Sequence, residues 1–286
     1  MKNQIASNNR VIFAGGLSAA LVTLALLAVV GPAAGQPIYR TGFEPPLFVA
    51  GVPLAGQDGW VAPPPLSPNA AMVTTDKPRQ GTQTVRVRGA DLEHQDFINA
   101  ATGGYYDAIG SYRHTVNFDT GGNQAVCVSA HVRLDGPRTP GVNFFSASVA
   151  AIADSSTGPS GVGELALSSD GFVHGYSSQD LVPTFLVSAP VSLNTWHELA
   201  IVVDFSSRTY SFFVDDDYLG TFAFDPSADS NTLRRGSLIA YTGPDNANLN
   251  KAAYSAYYDH FAIEAERDSR LEGGGSEAGE SSHQQE

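Results

Sequence analysis

Apolar residues at every second position are the feature that most constrains how this 286-residue chain folds. In "AVCVSAHVRL" (125–134), every second residue from Val126 to Leu134 is apolar, and the residues between them include His131 and Arg133. A period of two is typical of a strand whose sheet has one buried and one solvated face. The stretch therefore predicts a strand of an antiparallel sheet.

Similar strand patterns recur at short spacing along the chain. They occupy residues 83–89, 105–118, 142–153, 163–169, 171–178, 236–242 and 256–265. In "SSDGFVHGY", the pair Asp170-Gly171 between two such patterns predicts a hairpin with a type I′ turn. Many short strands within about 230 residues predict one all-β domain, an antiparallel sandwich or jelly roll.

The stretch "NTWHELAIVVDFSSRTYSFFVDDDYLG" (194–220) predicts a three-stranded meander. Leu199, Ile201 and Val203 share one face of its first strand, which is apolar on both faces. Such a strand is expected in the middle of two packed sheets. We expect Trp196, at the start of this strand, to fill the core.

The beginning of the chain has the layout of a secretory signal peptide. Lys2 and Arg10 precede an apolar run at 11–30, and the small residues Ala33 and Gly35 follow it. This order predicts a signal helix cleaved after Gly35. The apolar run is also long enough to span a bilayer, so an uncleaved N-terminal anchor is the alternative. Both alternatives predict export, to the cell envelope, the periplasm or the medium.

The end of the chain and its composition exclude several other classes. Residues 268–286 are rich in Gly, Ser and Glu and predict a disordered acidic tail, which leaves 36–267 as the folded domain. A net charge of −13 argues against nucleic acid and anionic membranes as partners of that domain. The single cysteine, Cys127, excludes an internal disulfide and a thiolate zinc cluster.

The meander also carries a family resemblance. Its W-x-x-L-x-I-x-x-D-F and T-Y-x-F-x-V-D runs, from Trp196 to Asp215, resemble the concanavalin A-like lectin/glucanase superfamily, particularly laminin G-like jelly rolls of bacterial exported proteins. "TGFEPPLFVAGVPLAGQDGW" (41–60) is similar to the start of such domains, although Asp216-Asp217 stands where relatives usually have Gly. The resemblance implies two curved antiparallel sheets, carbohydrate recognition on the concave face or rim, and often a structural calcium ion.

Catalytic signatures are weak in this sequence. Glycoside hydrolysis needs two flanking carboxylates, and the Glu-x-Asp-x-x-Glu run of relatives is missing. A polysaccharide lyase needs a cation to neutralise a uronate and a His or Tyr to transfer a proton. Its candidates are His131, Arg133, His174 and Tyr176. The alternative for these residues is a solvated sheet face whose Arg and His side chains pair with nearby acids.

Binding candidates follow from ligand chemistry. Exposed aromatic rings offer flat faces to sugars, which suggests Trp60, Tyr105 and Tyr106, with Arg86 and Arg88 as further ligand-binding side chains. The alternative for Trp60 is that it covers the sandwich edge.

Carboxylates suggest where a calcium ion could bind. Glu44 in the first strand and Asp259 in the last could share one ion if the terminal strands pair. Asp215–Asp217 form a second candidate, for which a solvated turn is the alternative.

Taken together, these patterns predict an exported, non-catalytic jelly-roll domain that binds glycans or acts in surface adhesion. Two alternatives remain open: a polysaccharide lyase-like enzyme on the same fold, and a structural envelope domain with no small ligand. A structural calcium ion is the one cofactor expected.

Overall fold

A computed structural model describes residues 36–62, 69–92, 97–98, 105–115, 125–141, 145–155, 158–179, 182–224, 233–242 and 250–265. For residues 97–98, 105–115 and several strand ends it describes the backbone only. The predicted signal peptide (1–35) and acidic tail (268–286) lie outside the described residues. Cleavage after Gly35 and export therefore stay predictions.

The described residues form fifteen β-strands and two short 3-10 helices, and they contain no α-helix. The strands are β1 (Gln36–Thr41), β2 (Ala71–Thr74), β3 (Thr84–Arg88), β4 (Phe97–Ile98), β5 (Tyr105–Thr115), β6 (Ala125–Asp135), β7 (Phe145–Ser155), β8 (Gly158–Ser168), β9 (Phe172–Gln179), β10 (Val182–Pro190), β11 (Trp196–Asp204), β12 (Thr209–Val214), β13 (Asp217–Ala223), β14 (Leu233–Thr242) and β15 (Ser255–Ala265). Within the same residues, no helix is long and apolar enough to cross a membrane.

The strands form two antiparallel sheets. Sheet A has the order β13-β12-β11-β6-β15-β3-β2, and β1 also pairs with β15. Sheet B has the order β10-β9-β8-β7-β14-β5-β4. Because β6 lies between β11 and β15, and β14 between β7 and β5, the chain crosses between the sheets several times. The fold is an all-β jelly-roll sandwich, which confirms the predicted fold class.

The core lies between the two sheets and takes its side chains from alternate positions of each strand. Leu199, Ile201 and Val203 of β11 are fully buried there, as the sequence predicted. Val128 of β6 and Leu165 of β8 belong to the same cluster. Burying an aliphatic side chain of this size stabilises the fold by about 1.5–3 kcal/mol, so the alternation itself determines which face of each strand turns inward.

Two hairpin turns show how the chain reverses direction. The β8–β9 hairpin is confirmed, but its turn is not type I′: Ser169 and Asp170 have ordinary negative φ, and Gly171 follows with φ 86°. This is a type I turn followed by a left-handed glycine. The β12–β13 turn is the type I′ turn, with Asp215 at φ 51° and Asp216 at φ 68°. Aspartate tolerates this left-handed geometry better than most side chains.

The outer edge of β2 is covered by the segment 51–54. The Val73 N–H donates to the Val52 carbonyl at 3.1 Å, and the Leu54 N–H donates to the Ala71 carbonyl at 2.9 Å. Pro53 stands opposite Met72 in a single antiparallel bridge. The hydrogen-bonding groups of this edge strand are therefore used on both of its sides.

Candidate functional site

The outer face of sheet B, here called the B face, gathers polar and aromatic side chains. Val149, Leu165 and Val173 of its strands point into the core, so the residues between them point outward. Outward residues that stand opposite one another on β9, β8, β7 and β14 form the rows Tyr176–Glu164–Ala150–Ser237 and His174–Ala166–Ser148–Ile239, with a shorter row Ser168–Ser146–Tyr241 on β8, β7 and β14.

Glu164 lies in the middle of this face. Its Oε1 atom is shielded from solvent and has no hydrogen-bond partner in the described part of the chain. Burial raises the pKa of Glu164, and a hydrogen bond with the Ser148 side chain only partly offsets that effect. The carboxyl group therefore keeps its proton to a higher pH than an exposed glutamate, and it can donate a hydrogen bond.

His174 stands in the neighbouring row, and one of its two ring nitrogens has a hydrogen-bond partner. Its Nε2 lies 2.9 Å from Asp170 Oδ2 in the β8–β9 turn. Asp170 Oδ1 in turn accepts from the Phe172 N–H at 3.1 Å, which fixes the carboxylate. The other ring nitrogen, Nδ1, is buried and has no partner among the described residues. In the neutral tautomer that donates to Asp170, Nδ1 is a free acceptor.

Aromatic rings continue the B face toward its β10 edge. The His174 ring lies 6.0 Å from Phe172, 6.1 Å from Tyr176 and 5.9 Å from Phe185, measured between ring centroids. Tyr176 and Phe185 are 6.2 Å apart. Phe185 is 56% exposed, so this aromatic strip of Phe172, His174, Tyr176 and Phe185 has an accessible surface. Such a surface suits the C–H groups of a pyranose ring.

Ser237 and Arg235 complete the face on β14. The Oγ atom of Ser237 is buried without a partner among the described residues. Arg235 precedes it by two positions and is only 7% exposed. Burial lowers the pKa of Arg235. The sequence reasoning missed Glu164, Ser237 and Arg235; the outward position of Glu164 within the alternating "GELALSS" was the signal that could have identified it.

The four lyase candidates do not form one site. His174 and Tyr176 lie on β9 and face outward from sheet B, whereas His131 and Arg133 lie on β6 of sheet A. The core of the sandwich separates the two outer faces, so the predicted four-residue set is wrong. The physical reason is that alternation shows which residues point outward but does not show which sheet a strand joins.

His131 and the arginines of sheet A have neighbours of their own. His131 Nε2 lies 3.6 Å from Glu198 Oε2, and burial, followed by the positive charges of Arg79 and His260, lowers the pKa of His131 to about 4. Acidic neighbours pair with the three predicted arginines: Arg133 with Asp135, Arg86 with Asp76, and Arg88 with Asp91. These contacts match the alternative of a solvated face with internal ion pairs.

Trp60 is not an exposed platform. It is fully buried, and its Nε1–H donates to the Tyr39 hydroxyl at 2.9 Å. Its ring packs against Phe43 and Phe261, with centroids 5.8 and 5.0 Å away. The prediction of a sugar platform at Trp60 is therefore wrong, because its apolar neighbours leave no face open.

Trp196, Tyr105 and Tyr106 lie at the starts of β11 and β5. Trp196 does not fill the core: it is half-buried on the outer side of β11. Tyr105 and Tyr106 begin β5 and pair through their backbone with Ile98 and Phe97. Their side chains lie outside the described set, so their role in binding stays a prediction.

The predicted calcium ligands, Glu44 and Asp259, both fasten the loop 79–83. Glu44 Oε1 accepts the N–H groups of Thr82 and Gln83 at 2.8 and 2.9 Å. Asp259 is fully buried, and its Oδ2 accepts the N–H groups of Arg79 and Gln80 at 2.9 and 3.2 Å. The terminal strands β1 and β15 do pair, but only Asp259 lies in one of them, because β1 ends at Thr41 and Glu44 follows it.

These contacts do not fit a calcium ion well. Calcium takes six to eight oxygen ligands, and the oxygens of Glu44 and Asp259 already accept N–H hydrogen bonds. In the described ranges, no three His, Cys, Asp or Glu side chains come together as a metal-binding group. The second candidate, Asp215–Asp217, also has its first carboxylate occupied, since Asp215 Oδ1 accepts the Glu198 N–H at 2.8 Å. Calcium binding remains a prediction.

Comparison with known proteins supports the fold. No protein-family model and no curated protein matches the sequence. Among solved structures, a carbohydrate esterase from Shiga toxin-encoding bacteriophage phi24B is 12% identical with a TM-score of 0.51, and the match covers 82% of this chain and 100% of that one.

Two lyases of known structure have lower TM-scores. An endo-β-1,4-glucuronan lyase from Trichoderma reesei is 11% identical with a TM-score of 0.49, over 81% of this chain and 96% of that one. An alginate lyase from Aplysia kurodai is 10% identical with a TM-score of 0.45, over 70% of this chain and 88% of that one. At such low identity, the structural likeness concerns the fold alone.

Proposed function

We propose that this chain binds a glycan on the B face. The observation that carries the proposal is the combination of three buried polar atoms without described partners, on Glu164, His174 and Ser237, with an aromatic strip beside them. Buried polar groups in native proteins almost always have a partner, which can be a ligand or an ordered water. Sugars supply both hydroxyl groups and apolar C–H faces.

The chemistry of the three groups is complementary to sugar hydroxyls. The raised pKa of Glu164 favours the protonated carboxyl group, which donates a hydrogen bond, while His174 Nδ1 accepts one and Ser237 does either. The exposed ring of Phe185 offers a stacking surface at the rim. The name of the similar phage protein, a carbohydrate esterase, agrees with a role in glycan interaction. Surface adhesion of an exported chain is the cellular role that this binding would serve.

A polysaccharide lyase is the second candidate, because the Asp170–His174 hydrogen bond leaves Nδ1 as a proton acceptor. In that reaction His174 takes the proton from C5 of a uronate, the C–H electrons form a C4=C5 double bond, and the C4–O bond breaks. The leaving oxygen then takes up a proton, for which Tyr176 is the nearest candidate donor on the strip. The product is an unsaturated uronate, which absorbs in the ultraviolet.

A glycan array on the purified full chain tests the proposal, followed by calorimetry on each ligand that binds. We expect Phe185→Ala to weaken binding about tenfold, the equivalent of roughly 1.4 kcal/mol. Tyr218→Ala is the matched control, since Tyr218 is 46% exposed but lies on β13 of sheet A. Equal effects of both variants would place binding elsewhere. No binding, and no release of unsaturated uronate, would leave the structural role without a ligand.

A further inference from the structure

Arg235 is the most unusual charged residue of the B face. Its neighbour Gly236 points into the core, where an added Cβ would lie 2.6 Å from the Phe261 ring and 3.1 Å from Val128. Arg235 therefore points to the opposite side of β14, onto the same face as Ser237. It is 93% buried there, since only 7% of it is exposed.

The guanidinium group of Arg235 has no counter-charge in the described part of the chain. The other described arginines of the strands, Arg40, Arg86, Arg88 and Arg133, each contact a carboxylate. Arg235 has no ion pair or hydrogen bond with any described residue, and desolvation alone lowers its pKa. Its nitrogens are not among the fully buried unpartnered atoms of the described residues, so they still reach solvent, and an anionic ligand can pair with them there.

Glu164 does not supply that negative charge. It lies two strand spacings from Ser237, about 10 Å across the sheet, and Arg235 lies a further two residues along β14. Its own burial favours the neutral acid. The outward titratable side chains that the structure describes between β8 and β14 therefore comprise a cation and a carboxyl group whose raised pKa favours the protonated form. Both donate hydrogen bonds to an anion.

We propose that the glycan bound on the B face is a carboxylated one, a polymer of uronic acids, with Arg235 pairing to a sugar carboxylate and Glu164 donating to a second acceptor of the same chain. The inference rests on the proposed glycan-binding function and adds the substrate class. We choose a carboxylate because its two oxygens match the planar guanidinium fork of Arg235 with two parallel hydrogen bonds. The separation of the two residues suits a saccharide chain rather than a single small anion.

Paired polysaccharides test the substrate class directly. Alginate, pectate and a β-1,4-glucuronan are presented to the full chain both intact and after chemical reduction of each carboxylate to a hydroxymethyl group. We expect at least one intact polymer to bind and its reduced form to bind at least tenfold more weakly. Equal binding of the two forms, or binding of neutral cello- or xylo-oligosaccharides only, would overturn the acidic class and leave the glycan site standing. A sulfated carrageenan binding more tightly than every uronate polymer would overturn the choice of carboxylate.

Two variants test whether Arg235 is the residue that binds the sugar carboxylate. Arg235→Gln is expected to weaken binding of the intact polymer at least tenfold and to leave binding of the reduced polymer unchanged. Arg133→Gln is the matched control, because it removes the same charge from the outer face of sheet A. Equal losses in the two variants would show a general charge effect and refute the role of Arg235.

A measurement on the unaltered chain covers the case in which Arg235→Gln does not fold. D-glucuronate is expected to raise the melting temperature more than D-glucose at the same concentration and ionic strength. No difference between the two sugars, together with no binding of any uronate polymer, would refute the proposal. No binding of any glycan at all would refute the proposed function as well.

Discussion

Protonation of His131 is expected to make the fold sensitive to mild acid. The ring is 14% exposed, and its Nδ1 atom has no partner among the described residues. Burial is the main cause that lowers its pKa to about 4, and the positive charges of Arg79 and His260 add to it, while Asp215 opposes them. Glu198 lies 3.6 Å from its Nε2, and Asp259 stands opposite on β15.

The direction of this pH effect follows from comparing His131 in the folded and the unfolded chain. In the unfolded chain the imidazole has its ordinary pKa of 6.5, so it binds a proton before the folded chain does. The free energy of unfolding therefore falls as the pH drops below 6.5, and this loss levels off below about 4. At pH 5, a shift of this size corresponds to roughly 2 kcal/mol. Because solvent still reaches part of the ring, screening leaves an expected loss of about 1 kcal/mol.

Urea denaturation at pH 7 and pH 5 measures the effect, in the unaltered chain and in His131→Asn. Carboxylates titrate in both proteins, so their contribution to the change in the free energy of unfolding cancels when the two proteins are compared. We expect the unaltered chain to lose about 1 kcal/mol more than the variant between the two pH values. An equal loss in both would refute the reasoning. A relative gain for the unaltered chain at pH 5 would mean instead that His131 becomes charged and pairs with Glu198.

Three further changes test the packing and the B face. Gly175→Ala places a Cβ 2.7 Å from the Phe212 ring, so we expect chemical denaturation to show a free energy of unfolding lower by about 1–3 kcal/mol. An unchanged denaturation midpoint would contradict the tight inward contact of Gly175. Trp60→Phe removes the hydrogen bond to Tyr39 and leaves a void, so we expect thermal denaturation to show a free energy of unfolding lower by about 2 kcal/mol. A loss below about 0.5 kcal/mol would argue against the buried position of Trp60. The raised pKa of Glu164 contributes stability that is present below pH 4.5 and is lost as the pH rises through the pKa of the folded state. Glu164→Gln should therefore reduce the decline in the free energy of unfolding between pH 5 and pH 8. The same dependence on pH in both proteins would show that Glu164 ionises normally.

The period-two pattern was sufficient to predict the class of fold. From Val126 to Leu134, all five residues predicted to point inward are buried in the main core, and Cys127 between them is buried in a separate small cluster. The pattern could not assign strands to sheets, because β6 and β9 have equally good alternation and only the crossovers of the chain separate them. His131 and His174 were therefore grouped together, although they lie on opposite faces of the sandwich.

The candidate site was harder to predict than the fold. His174 and Tyr176 were found because they alternate with Val173 and Gly175 on β9. Arg235 was missed because a register shift between Leu233 and Arg235 disrupts the alternation at the start of β14. The importance of a buried charge also depends on which partners surround it, and those come from strands distant in the sequence.

The segment 51–54 beside β2 has a consequence for how the molecule behaves at high concentration. A bare edge strand invites a strand from another copy to add to it, which is a common route to fibrils. Here the chain occupies that position with its own backbone at Val52 and Leu54. At the opposite sheet, β10 carries Pro183 and Pro190, which have no N–H to offer a newcomer. The addition of a strand from another copy is thus opposed at these two edges, beside β2 and along β10.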